Sequence, residues 1–384
     1  MNWKAKPLGS CIEVFDSCRR PVTKKDRVLG PYPYYGASGI VDYVDSYIFE
    51  GLHVLVAEDG ENLRSRKLPI AYLADGRFWV NNHAHVLRAN DENDTRFLSY
   101  MIESLDLSGF ITGSTQPKLS QAALLSIPLR LPKLAEQRRI AGVLGALDDK
   151  IESNRAQQRI GEQLLRAVIE GILGQFSEAD FISFDAYCTQ SKESVRPENI
   201  GNGDKYIALE HMPRGSVFLN SWETAKLAGI ASNKTRFRHG DLLFGKLRPY
   251  FKKVGVAPVS GVCSTDILVI RPRLPEFLPF IAVIASSDAL IDSISASATG
   301  TRMPRASWKE IATWPVPQIP DETFTVLLHP ANQLMAFLET LSLQNLKLAQ
   351  LRDALLPELM SGRMRVDEAG RLVSEALDEE VRSV

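Results

Sequence analysis

Two short strings, one an altered copy of the other, constrain this chain more than any other feature of its sequence. GSTQPKLSQ at residues 113–121 returns as GTRMPRASW at residues 300–308, and the threonines that precede the two strings, Thr112 and Thr299, lie 187 positions apart. At that offset Gly113, Pro117, Ser120 and Pro128 meet Gly300, Pro304, Ser307 and Pro315, while Lys118 meets Arg305. Duplication on this scale means that one supersecondary plan was used twice, so the chain is expected to fold as two similar halves with pseudo-twofold symmetry. Its 384 residues suit two or three domains of ordinary size.

The texture along the chain has the same duplicated order. Up to residue 133, short apolar runs such as YVDSYIFEG, LHVLVAEDG and GRFWVNNHAHVLRA are bounded by Gly, Asp or Asn. They read as strands, with one helix near TRFLSYMIESLD. A different pattern follows at 134–178, where apolar residues recur at alternating spacings of four and three. Ile140, Leu144, Leu147, Ile151, Asn154, Gln158, Gly161, Leu165, Val168 and Ile172 make one seam along a proline-free helix. From 140 to 172 that helix would run roughly 50 Å.

Strand texture returns over 179–320, in KYIALEHM, GDLLFGKLRPYFKKVGVAP and GVCSTDILVIRPR, with a helix in LPFIAVIASSDALIDSI. A second long helix is expected over 321–366, its seam formed by Leu334, Leu338, Leu341, Asn345, Leu348, Arg352, Leu355 and Leu359, and residues 367–384 are left as a tail. Pro330 and Pro357 are expected to kink or terminate this second helix. The fold class is therefore α+β: two mainly β domains separated by two long helices that pair as an antiparallel coiled coil, with the β domains at opposite ends of a rod. Asn154 and Asn345 interrupt the apolar seams, as polar positions do when they fix register. The plainer arrangement has each helix packed only on its own β domain.

Three stretches could contact a ligand. In the first string, Gly113 permits a tight turn, Ser114, Thr115 and Gln116 offer hydroxyl and amide groups, Pro117 stiffens the loop, Lys118 adds charge and Ser120 can cap a helix. In the second string Arg302 and Arg305 stand where the first has Thr115 and Lys118. Such loops suit phosphate and base-edge contact, although the same residues also make an ordinary capped turn. The second stretch is KTRFRHGDLLFGKLRPYFKK at 234–253, where Lys234, Arg236, Arg238, Lys246, Arg248, Lys252 and Lys253 face one acid, Asp241, and Tyr250 is interleaved. One-signed charge attracts a polyanion, whereas a solvated sheet face is the plain alternative. The third is GPYPYYGASG, where Tyr34 and Tyr35 on a stiff loop could stack on bases or equally pack into a core.

Other classes find little support. Phosphate-cradling glycine loops, the HExxH pattern and the Asn-Pro-Pro-aromatic string that holds a flipped adenine are all missing. The four cysteines, Cys11, Cys18, Cys188 and Cys263, have no metal-site spacing and read as buried thiols, so no metal is expected. No apolar run reaches membrane-spanning length, and the first residues carry no apolar signal core, from which a cytoplasmic location is expected. The net charge of −1 argues against a uniformly basic binder but says nothing of local patches.

In order along the chain, YPYYGASGIVDYVDSYIFEG, VLVAEDG, GSTQPKLSQAALLSIPLRLPKLAEQRRIAGVLGALDDKIESN, GDLLFGKLRPYFKKVGVAPVSGVCSTDILVIRP and LRDALLPELMSGRMRV resemble the specificity subunits of Type I restriction-modification systems. The second linker, PDETFTVLLHPANQLMAFLETLSLQNLK, departs from that pattern in lacking the EQRRIA series. The resemblance implies a non-catalytic DNA-recognition subunit whose two target-recognition domains each read one half of a bipartite sequence in double-stranded DNA. It implies helices that dock two modification subunits carrying S-adenosylmethionine, and separate restriction subunits that use ATP, with no cofactor in this chain. DNA contact is then expected from Tyr34, Tyr35, Ser114, Thr115, Gln116, Lys118, Lys246, Arg248, Tyr250, Lys252, Lys253, Arg302 and Arg305. The competing readings are a scaffold that never reads DNA and a chain with its own methyltransferase or nuclease activity.

Overall fold

The computed structural model describes residues 4–176, 181–297 and 304–382. Two compact units are present, Met1–Asp149 with Ala349–Glu379 and Lys150–Leu348 with Glu380–Val384. In chain order the first half holds β1 (Lys4–Pro7), β2 (Ile12–Val14), β3 (Tyr32–Gly36), β4 (Gly39–Val44), β5 (Phe49–Glu50), β6 (His53–Ala57), β7 (Ala71–Ala74), β8 (Arg77–Val80), β9 (Ala84–Ala89) and β10 (Pro128–Leu131). Its helices are α1 (Asn62–Ser65), α2 (Thr95–Ser104), α3 (Gln121–Ser126) and the long α4 (Leu134–Leu173). The second half holds β11 (Phe181–Ser183), β12 (Cys188–Ser191), β13 (Ser194–Val195), β14 (Lys205–Ile207), β15 (Glu223–Thr224), β16 (Lys234–Phe237), β17 (Leu242–Gly245), β18 (Val254–Val256), β19 (Gly261–Cys263), β20 (Ile267–Pro272) and β21 (Pro315–Pro317). Helices α5 (Leu278–Ala285), α6 (Asp288–Ser297), α7 (Trp308–Ala312), α8 (Asp321–Ser361) and α9 (Val366–Arg382) complete it.

Strand pairing shows the duplication more clearly than sequence identity does. In the first unit an antiparallel sheet runs β2-β9-β6-β7, and in the second β12-β20-β17-β18 has the same connectivity. A further sheet runs β4-β3-β8-β5, with β3 and β8 parallel. Its counterpart runs β15-β14-β19-β16, with β14 and β19 parallel and β13 added at the β16 edge. An antiparallel ribbon, β1 with β10 or β11 with β21, brings the ends of each domain together. Central strands are apolar runs because both faces are covered: every residue of β6 and every residue of β17 is buried. Phe244, Phe280 and Phe324 anchor the second core, while Phe49, Phe78, Val80 and Val86 fill a core of the first. Each such side chain contributes about 1.5–3 kcal/mol by leaving water.

The long helices pair antiparallel along the expected seam. Ile140, Leu144, Leu147, Ile151 and Asn154 are buried, as are Leu338, Leu341, Asn345 and Leu348. Within the second unit Gln158 donates to the Leu338 carbonyl at 3.0 Å and to Ser342 Oγ, and Asn154 donates to Gln344 at 3.4 Å. The Oδ1 atoms of Asn154 and Asn345 have no partner among the described residues, a burial cost of about 1–3 kcal/mol each that other registers would rearrange. In the first unit Arg352 of α8 donates to Asp148 of α4 at 2.8 Å.

Three expectations are corrected here. Helix α8 continues through both Pro330 and Pro357 to Ser361, because each proline removes one backbone bond while buried Leu328, Ala331, Leu355 and Leu359 on either side hold the helix in place. The supposed tail from residue 367 is helical: α9 buries Val366, Ala369 and Val373, and its Asp367 pairs with Arg139 of α4. Cys11, Cys188 and Cys263 are buried, but Cys18 is exposed. No single described helix is long and apolar enough to cross a membrane.

Candidate nucleic-acid interface

The first string forms a pinched loop on the surface of the first unit. Thr112 and Lys118 exchange backbone bonds of 2.9 and 2.8 Å, closing residues 113–117 into a knuckle. Gly113 sits at φ +84°, and a Cβ there would stand 2.2 Å from the Gln116 carbonyl oxygen, so only glycine fits this backbone. Ser114, Thr115, Gln116 and Lys118 are exposed, while Pro117 and Leu119 plug the loop into the domain. Arg64 of α1 donates to the Ser114 carbonyl at 2.9 Å and to that of Gly113, stiffening the knuckle from below. Ser120 then caps α3 by accepting from Ala123 N at 3.3 Å.

The second copy is held to its own sheet by the same bonds. In the first unit Glu58 N bonds His83 O (2.9 Å), Leu119 N bonds Glu58 O (2.8 Å) and Gly60 N bonds Pro117 O (3.1 Å). In the second, Lys246 N bonds Asp266 O (2.8 Å), Ala306 N bonds Lys246 O (2.9 Å) and Arg248 N bonds Pro304 O (3.0 Å). Isolated bridges Asp59 with Lys118 and Leu247 with Arg305 complete the match. Ser307 caps α7 as Ser120 caps α3, and adds a capping box with Glu310. Thr299, Gly300 and Arg302 lie outside the described residues.

Known proteins share features of this frame. A family model described as the Type I restriction modification DNA specificity domain matches residues 1–160. A Haemophilus influenzae protein named for a type I restriction enzyme specificity subunit is 38% identical over 148 residues, which is 38% of this chain and 37% of that protein's length. The EcoDI specificity subunit of Escherichia coli is 22% identical with 90% of this chain and 84% of its own length aligned; for the MjaIX specificity subunit of Methanocaldococcus jannaschii the identity is 22% and the shares are 96% and 94%. Over the aligned lengths the chain is similar to Type I restriction enzyme specificity subunits. A crystal structure of the S subunit from M. genitalium shares its fold, with a TM-score of 0.55, 16% identity, and 93% of this chain and 96% of that one covered.

The structure places the expected contact residues unevenly. Tyr34 lies on β3 and is buried; its hydroxyl accepts from Val22 N at 2.9 Å and the Arg27 guanidinium sits 4.3 Å above its ring. Tyr35 packs against Tyr72 and Phe78. Tyr34 is buried and not presented to a ligand, whereas Tyr35, past a register shift in β3, is half-buried. Within the basic run, Lys234 is buried and bonds Ser232, and Lys253 is half-buried and bonds the Leu209 carbonyl. Lys246 donates to the Thr265 carbonyl at 2.5 Å, and Lys252 pairs with Asp288. Burial pushes the Lys253 ammonium below its ordinary value. Arg248 and Tyr250 remain exposed, and Arg305 is exposed with one ion pair, to Asp266 at 3.1 Å. Arg248 and Lys252 both adopt left-handed backbone around the short turn Pro249–Phe251, strain that non-glycine residues keep where the surroundings enforce it.

A buried charge network that sequence reading missed supports the first loop. His85 Nδ1 lies 2.6 Å from Asp16, and its Nε2 donates to the Leu119 carbonyl at 2.8 Å, since a carbonyl only accepts. Arg19 reaches Glu58 at 2.6 Å and Asp16 at 3.4 Å, and Lys118 reaches Glu58 at 3.1 Å. Burial alone would raise the Asp16 carboxyl, but the His85 and Val86 hydrogen bonds and the Arg19 charge hold it below its ordinary value; Glu58 is likewise lowered, against burial, by Arg19, Lys118 and His85. Asp16, Glu58 and His85 bring ligand atoms within 4.8 Å of one another, a composition that also suits a metal ion. The Arg19 guanidinium already supplies the cation that these carboxylates need. No local motif marks the network, because Asp16, Glu58 and His85 come from separate segments.

Proposed function

We propose that this chain is the non-catalytic DNA-recognition subunit of a Type I restriction-modification complex, with each β domain reading one half of a bipartite target in double-stranded DNA. One observation carries this reading: two polar, basic loops of different side chain are held on the two sheets by the same set of backbone bonds. A shared mount with unlike side chains is what two half-sites of unlike sequence require. Affinity comes from phosphate contacts, to which Lys118, Arg248 and Arg305 are placed to contribute, and selectivity from groups such as Ser114, Thr115, Gln116 and Tyr250 at base edges. The paired α4 and α8 set the separation of the half-sites and offer outer faces to two modification subunits that bring S-adenosylmethionine; restriction subunits that use ATP complete the assembly.

Methylome sequencing of cells expressing this chain together with its modification subunit tests the proposal. A new methylated motif of two short halves around an unspecified spacer supports it. A complex that forms and modifies no bipartite motif sinks it and leaves the scaffold reading. Methyl transfer by the purified chain alone would overturn the non-catalytic role.

A further inference from the structure

The two domains share a mount but not a charge distribution. At the corner where the second unit carries Lys246, Leu247 and Arg248, the first carries Glu58, Asp59 and Gly60 at the positions that make the same backbone bonds. The corner that is basic in one domain is thus acidic in the other, and Lys118 is drawn onto Glu58. A domain that holds a polyanion needs its positive charge elsewhere.

That charge is found in the segment between β2 and β3. Residues 19–27, RRPVTKKDR, hold five basic residues and one acid. Arg20, Lys24 and Lys25 are exposed, and none of their side chains enters a hydrogen bond or close ion pair among the described residues, although the Lys24 charge also acts on Asp42. Asp26, the acid, is taken by Thr23 at 2.5 Å. The segment is also anchored. Trp79 Nε1 donates to the Arg20 carbonyl at 2.6 Å, Tyr34 OH accepts from Val22 N, and Arg27 donates to the Val22 carbonyl at 3.1 Å and to Asp42 at 2.9 Å. Arg19 joins it to Glu58, and through Glu58 to Lys118 and the 112–118 loop. In the second domain the corresponding segment, between β12 and β14, is compensated: Arg196 lies 3.9 Å from Glu198, and Glu193 lies 3.4 Å from Arg236.

We infer that Arg20, Lys24 and Lys25 form the phosphate grip of the first recognition domain, the counterpart in function, though not in position, of the Arg248 corner in the second. Three unpaired cations on an anchored loop lose little freedom on meeting a phosphate backbone and release counterions from it. Tyr34 acquires a role here as the pin of that loop. The inference rests on the DNA-reading function proposed above.

The test is titration of the purified full-length chain against a fluorescent duplex of mixed sequence over a range of salt. The triple variant Arg20→Gln, Lys24→Gln, Lys25→Gln is compared with a control of equal charge change on the long helices and α9, Arg159→Gln, Lys347→Gln, Arg371→Gln. The grip predicts that the slope of log affinity against log salt falls by about two to three in the loop variant, with binding roughly 10- to 100-fold weaker near 0.1 M salt, and that the control keeps the wild-type slope. Lys24→Arg with Lys25→Arg should retain wild-type binding. A loop variant whose slope equals that of the wild type overturns the grip while leaving DNA recognition intact, and equal losses in both triple variants reduce it to net charge. A wild-type chain without salt-dependent DNA binding overturns the parent reading as well.

Discussion

Gly161 and Leu338 provide a test of helix register whose outcome is a change of sign. A Cβ at Gly161 would stand 2.5 Å from Leu338 Cδ2 and 3.1 Å from its Cδ1, inside the roughly 3.5–4.0 Å of ordinary carbon contact. Leu338 is fully buried and has no solvent to swing into. Overpacking of this kind costs about 1–3 kcal/mol, while replacing a helix-interior glycine by alanine returns about 1 kcal/mol. Gly161→Ala should therefore be neutral to destabilising, by about 0–2 kcal/mol. Leu338→Ala empties the space opposite and costs about 2–5 kcal/mol. In that background the new methyl meets nothing, the propensity gain survives, and the double variant should be about 1 kcal/mol more stable than Leu338→Ala alone. Urea unfolding of the four proteins, followed by far-ultraviolet circular dichroism, measures the cycle. If Gly161→Ala stabilises equally in both backgrounds, the helices do not approach at this pair and the register described here is wrong.

Three further outcomes follow from the same reasoning. Arg19→Ala removes the guanidinium that bridges the largely buried carboxylates of Glu58 and Asp16, so the chain should lose about 3 kcal/mol in the same unfolding assay. Because Asp16 and Glu58 are held below their ordinary values of 3.8 and 4.5, their contribution is fully present above those values and is lost as the pH falls through the lowered ones. Thermal melting should accordingly drop below about pH 4, less steeply in Arg19→Ala than in the wild type. Pro330→Ala restores a backbone bond inside α8 at an exposed position and should raise stability by about 1–2 kcal/mol, the helix gain less the extra freedom of the unfolded chain; a loss would show that the proline shapes α8.

The parts legible in the sequence were those set by local pattern. The seam from Ile140 to Asn154 was readable because helical spacing survives any tertiary setting. The paired strings were readable because Gly113, Pro117 and Ser120 each answer a backbone requirement: positive φ, a stiff plug and a helix cap. Partnership across the fold was not. Lys246, Lys252 and Lys253 look free in a one-signed run, yet each finds an acceptor from a distant segment. Tyr34 looks like a loop tyrosine until β3 pairs with β8 and buries it. The RRPVTKKDR run does not stand out in the sequence beside the longer run at 234–253, since charge density alone does not separate spent cations from exposed ones. Helix α9 does not show in the sequence because its apolar stripe, Val366, Ala369 and Val373, is short and makes sense only against α4.

The central claim is that each domain reads its own half of the target. The most direct measurement is methylome sequencing of cells carrying the modification subunit with either Thr115→Ala, Gln116→Ala in the first loop or Arg248→Gln, Arg305→Gln in the second. Separate recognition predicts that each pair of substitutions relaxes base preference in one half of the motif, a different half for each pair, with the spacer length unchanged. Relaxation of both halves by either pair, or of the same half by both, would contradict it.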